Sequence, residues 1–156
     1  MSVAELSIRL ATAGDEVAAL DLMEELFEPP GMRPDDFTRD RARTGFQRYV
    51  ADKSGDVLLA ETGGSLVGLA NVYVDIPSIR FGTRCWLEDL VVTSAQRSTG
   101  VGRRLLEAAT AWARERGCTH LELDSGNARK DAHRFYVDQG MEQQGLVFHI
   151  PIAPAE

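Results

Sequence analysis

Cysteine is scarce in this chain, which has two thiols, Cys85 and Cys118. Neither belongs to a CxxC pair or a Cys/His cluster, which argues against a disulfide framework and against a zinc site. Both therefore read as core packing. Histidine is equally thin: His120, His133 and His149 are too scattered in sequence to suggest a metal centre, and no metal is expected. No apolar run approaches the roughly 20 residues of a membrane span. The opening MSVAELSIRL has no basic stretch followed by an apolar one, so the expectation is a cytoplasmic protein with no membrane partner. Positive charge is also in deficit, with 17 Lys and Arg against 24 Asp and Glu for a net charge of −7. A surface of that sign repels nucleic-acid phosphates and attracts cations. Nucleic acid is excluded as an expected partner, whereas a cationic acceptor such as an amine is suited.

Apolar residues make up 44% and charged residues 26% of the 156 positions, the balance of a globular chain rather than a disordered one. That length buries one continuous core and is short for two, so residues 1–156 are expected to form a single domain.

Residues 6–10 (LSIRL) alternate as a strand. A helix is expected from residues 12–15 onwards, with Val17, Leu20, Leu22, Met23, Leu26 and Phe27 as its stripe, until Pro29-Pro30-Gly31 stops it. A second, more polar helix follows Pro34 and carries Phe37, Phe46 and Tyr49. Residues 57–61 and 66–74 read as a hairpin turning at Gly63-Gly64, and residues 85–92 (CWLEDLVV) as the next strand. A helix from about Gly100 to Arg116 stops at Gly117. A strand over 119–124, a helix from about Lys130 to Gln139 stopped by Gly140, and a last strand over 145–150 complete the order. The fold class expected is α/β, as a mixed, largely antiparallel sheet with helices on both faces.

The most informative stretch is Gln96-Arg97-Ser98-Thr99-Gly100-Val101-Gly102-Arg103-Arg104. It follows an apolar strand and opens a helix with apolar positions Val101, Leu105, Ala108 or Ala109, and Trp112. A helix start presents orphan N–H groups and the positive end of its dipole, and glycines let an anion approach that backbone. The spacing matches neither a Walker A sequence nor a GxGxxG fingerprint. Alone, it is equally a tight turn with solvated arginines.

Arg97-Ser-Thr-Gly100-Val-Gly102 resembles the R/Q-x-x-G-x-G/A signature of the GCN5-related N-acetyltransferases. Leu90-Val91-Val92 resembles the strand before it, and Ala132-His133-Arg134-Phe135-Tyr136 with Gly140-Met141 is similar to the family's A-x-x-x-Y-x-x-x-G-F block. The resemblance implies acetyl-CoA as cosubstrate. Its pyrophosphate would lie on the N–H groups of Arg97, Ser98, Thr99, Gly100, Val101, Gly102 and Arg103, and its pantetheine along Leu90, Val91 and Val92. Relatives place an asparagine seven residues before the tyrosine. Here Arg129 holds that offset and Asn127 stands two residues earlier, the candidate for the same role through a shifted loop.

Acetyl transfer to an amine needs a base for the nucleophile, a donor for the oxyanion and an acid for the leaving thiolate. By resemblance Tyr136 is the candidate acid. Glu88 is the candidate base, because the carboxylates of Trp86-Leu87-Glu88-Asp89-Leu90 interrupt an apolar strand and need water, partners or a task. Strand alternation would send Glu88 and Asp89 to opposite faces, and a strand splayed open at Leu90–Val92 would free an N–H for the oxyanion. The implied acceptor is the primary amine of a small molecule. Peptide or protein N-acetylation and a non-catalytic acyl-CoA-binding module remain as alternatives. Dimers are common among the relatives, so a homodimer is one of the assemblies open to the chain.

Overall fold

The structure is a computed structural model and describes residues 5–154. The chain divides into two compact units, the first ending at Leu123 and the second beginning at Asp124.

The first unit holds β1 (Ser7–Leu10), α1 (Glu16–Met23), α2 (Arg39–Ala51), β2 (Gly55–Thr62), β3 (Ser65–Val74), β4 (Arg84–Val92), α3 (Val101–Glu115) and β5 (His120–Glu122). The five strands form one sheet in sequence order. The first four pair antiparallel and β5 runs parallel to β4. This is the mixed, largely antiparallel sheet the patterning predicts. Gly63 and Gly64 carry φ of 57° and 79°, the positive pair that a two-residue hairpin turn requires to match strand twist.

The stripe expected through Phe27 is a helix only as far as Met23 and tightens into a 3-10 turn over Glu24–Phe27. Of that stripe Leu20 and Leu22 are buried, together with Ala19, whereas Val17 is exposed. The helix expected after Pro34 begins at Arg39, where the Thr38 hydroxyl accepts from the Arg41 N–H at 3.1 Å and satisfies one orphan donor of the first turn.

Strand register sorts the core into two layers. Leu59 lies opposite Leu69, and Leu69 opposite Val91; these three pack with Ala19, Leu20, Leu22 and Phe46 of α1 and α2. On the other face α3 buries Val101, Leu105, Leu106, Ala109, Trp112 and Ala113, so Ala109 rather than Ala108 fills the position left open by the spacing. Gly68 makes the close approach of α3 possible, because a Cβ there would stand 2.8 Å from Leu105 Cδ1 and 2.9 Å from Val101 Cγ1. Cys85 is fully buried and burial pushes its thiol up to about 12. It is a packing residue, as expected.

The strand expected over 119–124 is shorter, at His120–Glu122, and its pairing with β4 ends at Trp86. In the second unit, α4 (Lys130–Asp138) follows a turn at Asn127 and Ala128. Gly140, at φ 92°, closes it. The Gly140 N–H donates to Val137 O at 2.9 Å and the Met141 N–H to Tyr136 O at 3.0 Å, the paired bonds of a glycine-terminated helix end. The strand expected over 145–150 does not form, and residues 141–154 carry no regular element. A strand is stable only when a neighbour satisfies its backbone. Leu146, Val147, Phe148 and Ile150 supply apolar side chains without a ladder, and all four are exposed.

Candidate active site

The register of β4 changes once. Asn71 lies opposite Asp89, but Val72 lies opposite Leu87, so Glu88 is the extra residue of a β-bulge. A bulge re-aims side chains on either side of it. Upstream, Leu87 opposes Val72 in the layer beneath α3, while Trp86 opposes Tyr73 on the α1–α2 face. Downstream, Asp89 and Val91 oppose Asn71 and Leu69 on that same α1–α2 face. The Trp86 indole N–H donates to Glu88 Oε2 at 2.6 Å, which draws Glu88 to the side of Trp86. The expected opposition of Glu88 and Asp89 is thus overturned: the bulge brings both carboxylates to one face.

Aromatic side chains stand around them. Tyr49 of α2 and Tyr73 of β3 meet with ring centroids 6.2 Å apart. The Tyr49 phenol is pushed well above its usual value, first by burial and then by the negative charges of Glu88 and Asp89. Tyr73 is raised by burial and by Glu88. Both phenols therefore stay protonated at neutral pH and can donate. The face combines an exposed carboxylate on an extruded residue, a second carboxylate beside it, and half-buried aromatic side chains. Such a lining suits a cationic group.

Asn71 was not singled out from the sequence. It is buried, at 7% exposure, and its amide makes two bonds to one residue. Its Oδ1 accepts the Asp89 N–H at 2.7 Å and its Nδ2 donates to Asp89 Oδ2 at 3.2 Å. The available signal was a lone polar residue within the apolar run LVGLANVYV.

Beyond Trp86, residues 87–92 of β4 have no strand on the side away from β3 among the described residues. Leu90, Val91 and Val92 lie on this edge and stay paired to β3 through Ala70, Leu69 and Gly68. The irregularity expected at these three falls earlier, at Glu88. The edge leads into the glycine-containing turn. Thr93 N–H returns to Val67 O at 2.9 Å and Arg97 Nε donates to Val92 O at 3.3 Å, tying the turn to the strand end. Ser98 and Gly100 take left-handed backbones, φ 62° and 92°, and the Thr99 hydroxyl donates to Gln96 O. Gly100 is the N-cap of α3 and offers no side-chain acceptor, and the first turn has no acidic residue. The leading N–H groups at Val101, Gly102 and Arg103 thus lack a side-chain cap, and Arg97, Arg103 and Arg104 are exposed beside them. An anion is the natural complement of that helix end.

The second unit carries the other two candidates. Asn127 is exposed in the turn before α4. Tyr136 is half-buried in the last turn of α4, edge-on to Phe135 at 5.4 Å. His133 bonds Gly126 O at 2.9 Å and so ties the helix to that turn. Among the described residues no group of three or more His, Cys, Asp or Glu is arranged to hold a metal ion.

Comparison with known proteins gives a consistent result. Residues 19–141 match the acetyltransferase (GNAT) family. An aminoglycoside N(6')-acetyltransferase type 1 of Stenotrophomonas maltophilia is 32% identical over 156 aligned positions, covering 96% of this chain and 95% of that protein. An uncharacterised N-acetyltransferase of Bacillus subtilis, YhdJ, is 45% identical over 76 residues, a match that spans 48% of this chain and 54% of YhdJ. Among solved structures, the aminoglycoside N-acetyltransferase AAC(6')-Iy in complex with CoA superposes with a TM-score of 0.83 at 16% identity, covering 97% of both chains. At that identity the likeness is one of fold.

Proposed function

Because this chain belongs to the acetyltransferase (GNAT) family, we propose that it transfers the acetyl group of acetyl-CoA to the primary amine of a small molecule. The observation that carries the proposal is the outer edge of β4 at Leu90–Val92, which no strand flanks among the described residues, running into an uncapped helix start. An amide-bearing arm such as pantetheine pairs with a strand edge as an added strand does, with Leu90, Val91 and Val92 as its partners. The N–H groups of residues 97–103 are the complement of a pyrophosphate, with Arg97 and Arg103 adding charge. Asn127 is assigned to the coenzyme on resemblance alone.

On the acceptor side, a lysine-like amine with a pKa of about 10.4 arrives protonated. Glu88 takes the proton, and the freed nitrogen lone pair attacks the thioester carbonyl carbon. A backbone N–H of Leu90–Val92 stabilises the developing oxyanion. Collapse breaks the C–S bond, and the leaving thiolate takes a proton from the phenol of Tyr136. The second amine proton leaves the nitrogen through solvent to restore that phenol, while Glu88 returns its own proton to solvent. The products are the N-acetylated amine and free coenzyme A. The acidic, aromatic α1–α2 face at Glu88 supports a small cationic acceptor, as does the full-length similarity to an aminoglycoside-modifying enzyme.

The test is a screen of purified protein with acetyl-CoA against polyamines, aminoglycosides, amino acids and short peptides, following thiol release. Turnover confined to small amines is the expected result. Turnover confined to peptides would replace the acceptor class. Acetyl-CoA binding without turnover on any acceptor would favour a non-catalytic binding module.

A further inference from the structure

We propose that Asn71 is a positioning residue that holds the β4 bulge and thereby delivers the Glu88 carboxylate to the acceptor face; this rests on Glu88 being the base. Consider the strand without its extra residue, with pairing kept at Asn71 and Asp89. Continuing the register upstream would set Glu88 opposite Val72, which is fully buried beneath α3, because a one-residue slip moves every side chain to the other face. The carboxylate would then enter an apolar layer and leave the tyrosine face empty. Two anchors prevent this. Cys85 and Leu87, at 0% and 1% exposure, hold the upstream half of the strand in the layer below α3. Asn71 holds the downstream half.

The Asn71 contacts suit that task and no other visible one. Its Oδ1 takes the place of a ladder acceptor for the Asp89 N–H at 2.7 Å, and its Nδ2 binds the carboxylate of the same residue at 3.2 Å. Backbone and side chain of Asp89 are gripped together. The residue before it is extruded and bonds the Trp86 indole at 2.6 Å. The Glu88 carboxylate bonds the Trp86 indole, neighbours Asp89 in sequence, and lies near enough to Tyr73 on β3 and Tyr49 on α2 for its charge to raise their phenols. None of them fixes the register, whereas Asn71 does. Asn71 touches no reacting atom in this scheme and acts through Glu88.

Two tryptophans make the proposal measurable without turnover. The Trp86 indole N–H reports on Glu88, and the Trp112 indole N–H, bound to Asp56 Oδ2 at 2.9 Å, lies on the opposite face and serves as an internal control. In 15N-labelled protein, Glu88→Gln assigns the Trp86 indole signal and Asp56→Asn the Trp112 signal. Asn71→Ala is expected to move the Trp86 signal towards its Glu88→Gln position and leave the Trp112 signal in place. Asn71→Leu, which refills the volume without the two bonds, should do the same and guards against a cavity-driven loss of fold. A Trp86 signal unmoved in both folded variants would overturn the proposal.

Turnover supplies the second arm. Asn71→Ala is expected to lower kcat by about tenfold, within the range for a misplaced group, with the acetyl-CoA KM unchanged. On a Glu88→Gln background the same change should cost less than about twofold, as expected when two residues act as one unit. Equal losses on both backgrounds would make Asn71 a general structural residue and overturn the proposal. A silent Glu88→Gln variant would instead remove Glu88 as the base, a separate failure recorded by a separate number.

Discussion

Replacing Gly68 with alanine adds one methyl group where the sheet, α3 and the candidate coenzyme turn meet. The new Cβ would lie 2.8 Å from Leu105 Cδ1, 2.9 Å from Val101 Cγ1 and 3.3 Å from the Val91 carbonyl oxygen. Comfortable carbon contacts are about 3.5–4.0 Å, so roughly 1 Å of clearance must be found. Leu105 and Val101 are themselves buried, at 0% and 3% exposure, and a close-packed interior offers them little room to turn aside. The first two turns of α3 must therefore lift from the strand. Overpacking of this kind costs about 1–3 kcal/mol. For a chain of this length that lowers the melting temperature by about 2–4 °C per kcal/mol, or about 2–12 °C in all. The same lift displaces the N–H groups at the head of α3, so affinity for coenzyme A should fall along with stability. Thermal melts and titration calorimetry with coenzyme A read the two effects. Gly45→Ala is the matched control: its Cβ meets nothing within 4 Å, the site is an exposed position inside α2, and the change should stabilise by about 1 kcal/mol with coenzyme affinity unaltered. A Gly68→Ala protein that melts and binds coenzyme as the parent does would refute the packing argument.

Tyr136→Phe should reduce turnover while coenzyme binding stays largely intact, since only the phenol hydroxyl is lost; unchanged kcat would remove its assigned role as acid. Gly100→Val should weaken coenzyme binding, because φ is 92° there and a left-handed backbone costs an L-residue about 1–2 kcal/mol; a calorimetric Kd equal to the parent's would count against the turn as the pyrophosphate site. Asp15 gives a pH test. Its carboxylate takes two Arg9 bonds at 2.8 Å and the Thr12 N–H at 2.8 Å, and the Arg9 bonds hold its pKa well below the usual carboxylate range. A depressed folded pKa contributes stability that is fully present above the unfolded value of about 3.9 and fades as pH falls through the folded one. The stability gap between parent and Asp15→Asn should thus be constant from pH 7 to 5 and shrink below about pH 4. A gap that widens on acidification would contradict the assignment.

The parts of the fold legible in the sequence are those set by local chemistry. Gly63-Gly64, Gly117 and Gly140 mark their turns and helix ends because each needs a positive φ, and the α3 stripe is visible because its burial follows a helical period. The glycine-containing turn that opens α3 was legible for the same reason, being contiguous in sequence. The last strand was not, since an apolar run over 145–150 carries no information about a partner. The orientation of Glu88 was missed for a related reason. Alternation assumes an unbroken ladder, and the bulge is set by Asn71 on a neighbouring strand and by the anchoring of Cys85 and Leu87 below α3. Pairwise contacts between distant residues decide it, and no single segment records them.

The outer side of β4 beyond Trp86, which no strand flanks among the described residues, has a further consequence, for solubility. An apolar strand with free N–H and C=O groups is a template for a second copy of itself, and proteins blunt such edges with charges and bulges. Residues 87–92 carry both within one dipeptide, the bulge at Glu88 and the carboxylate of Asp89 beside it. On the proposed reading, in which the coenzyme arm covers this edge, the same features also keep it from zipping onto another molecule while it waits. Chains in which both acids are neutralised should therefore aggregate soonest when coenzyme is scarce.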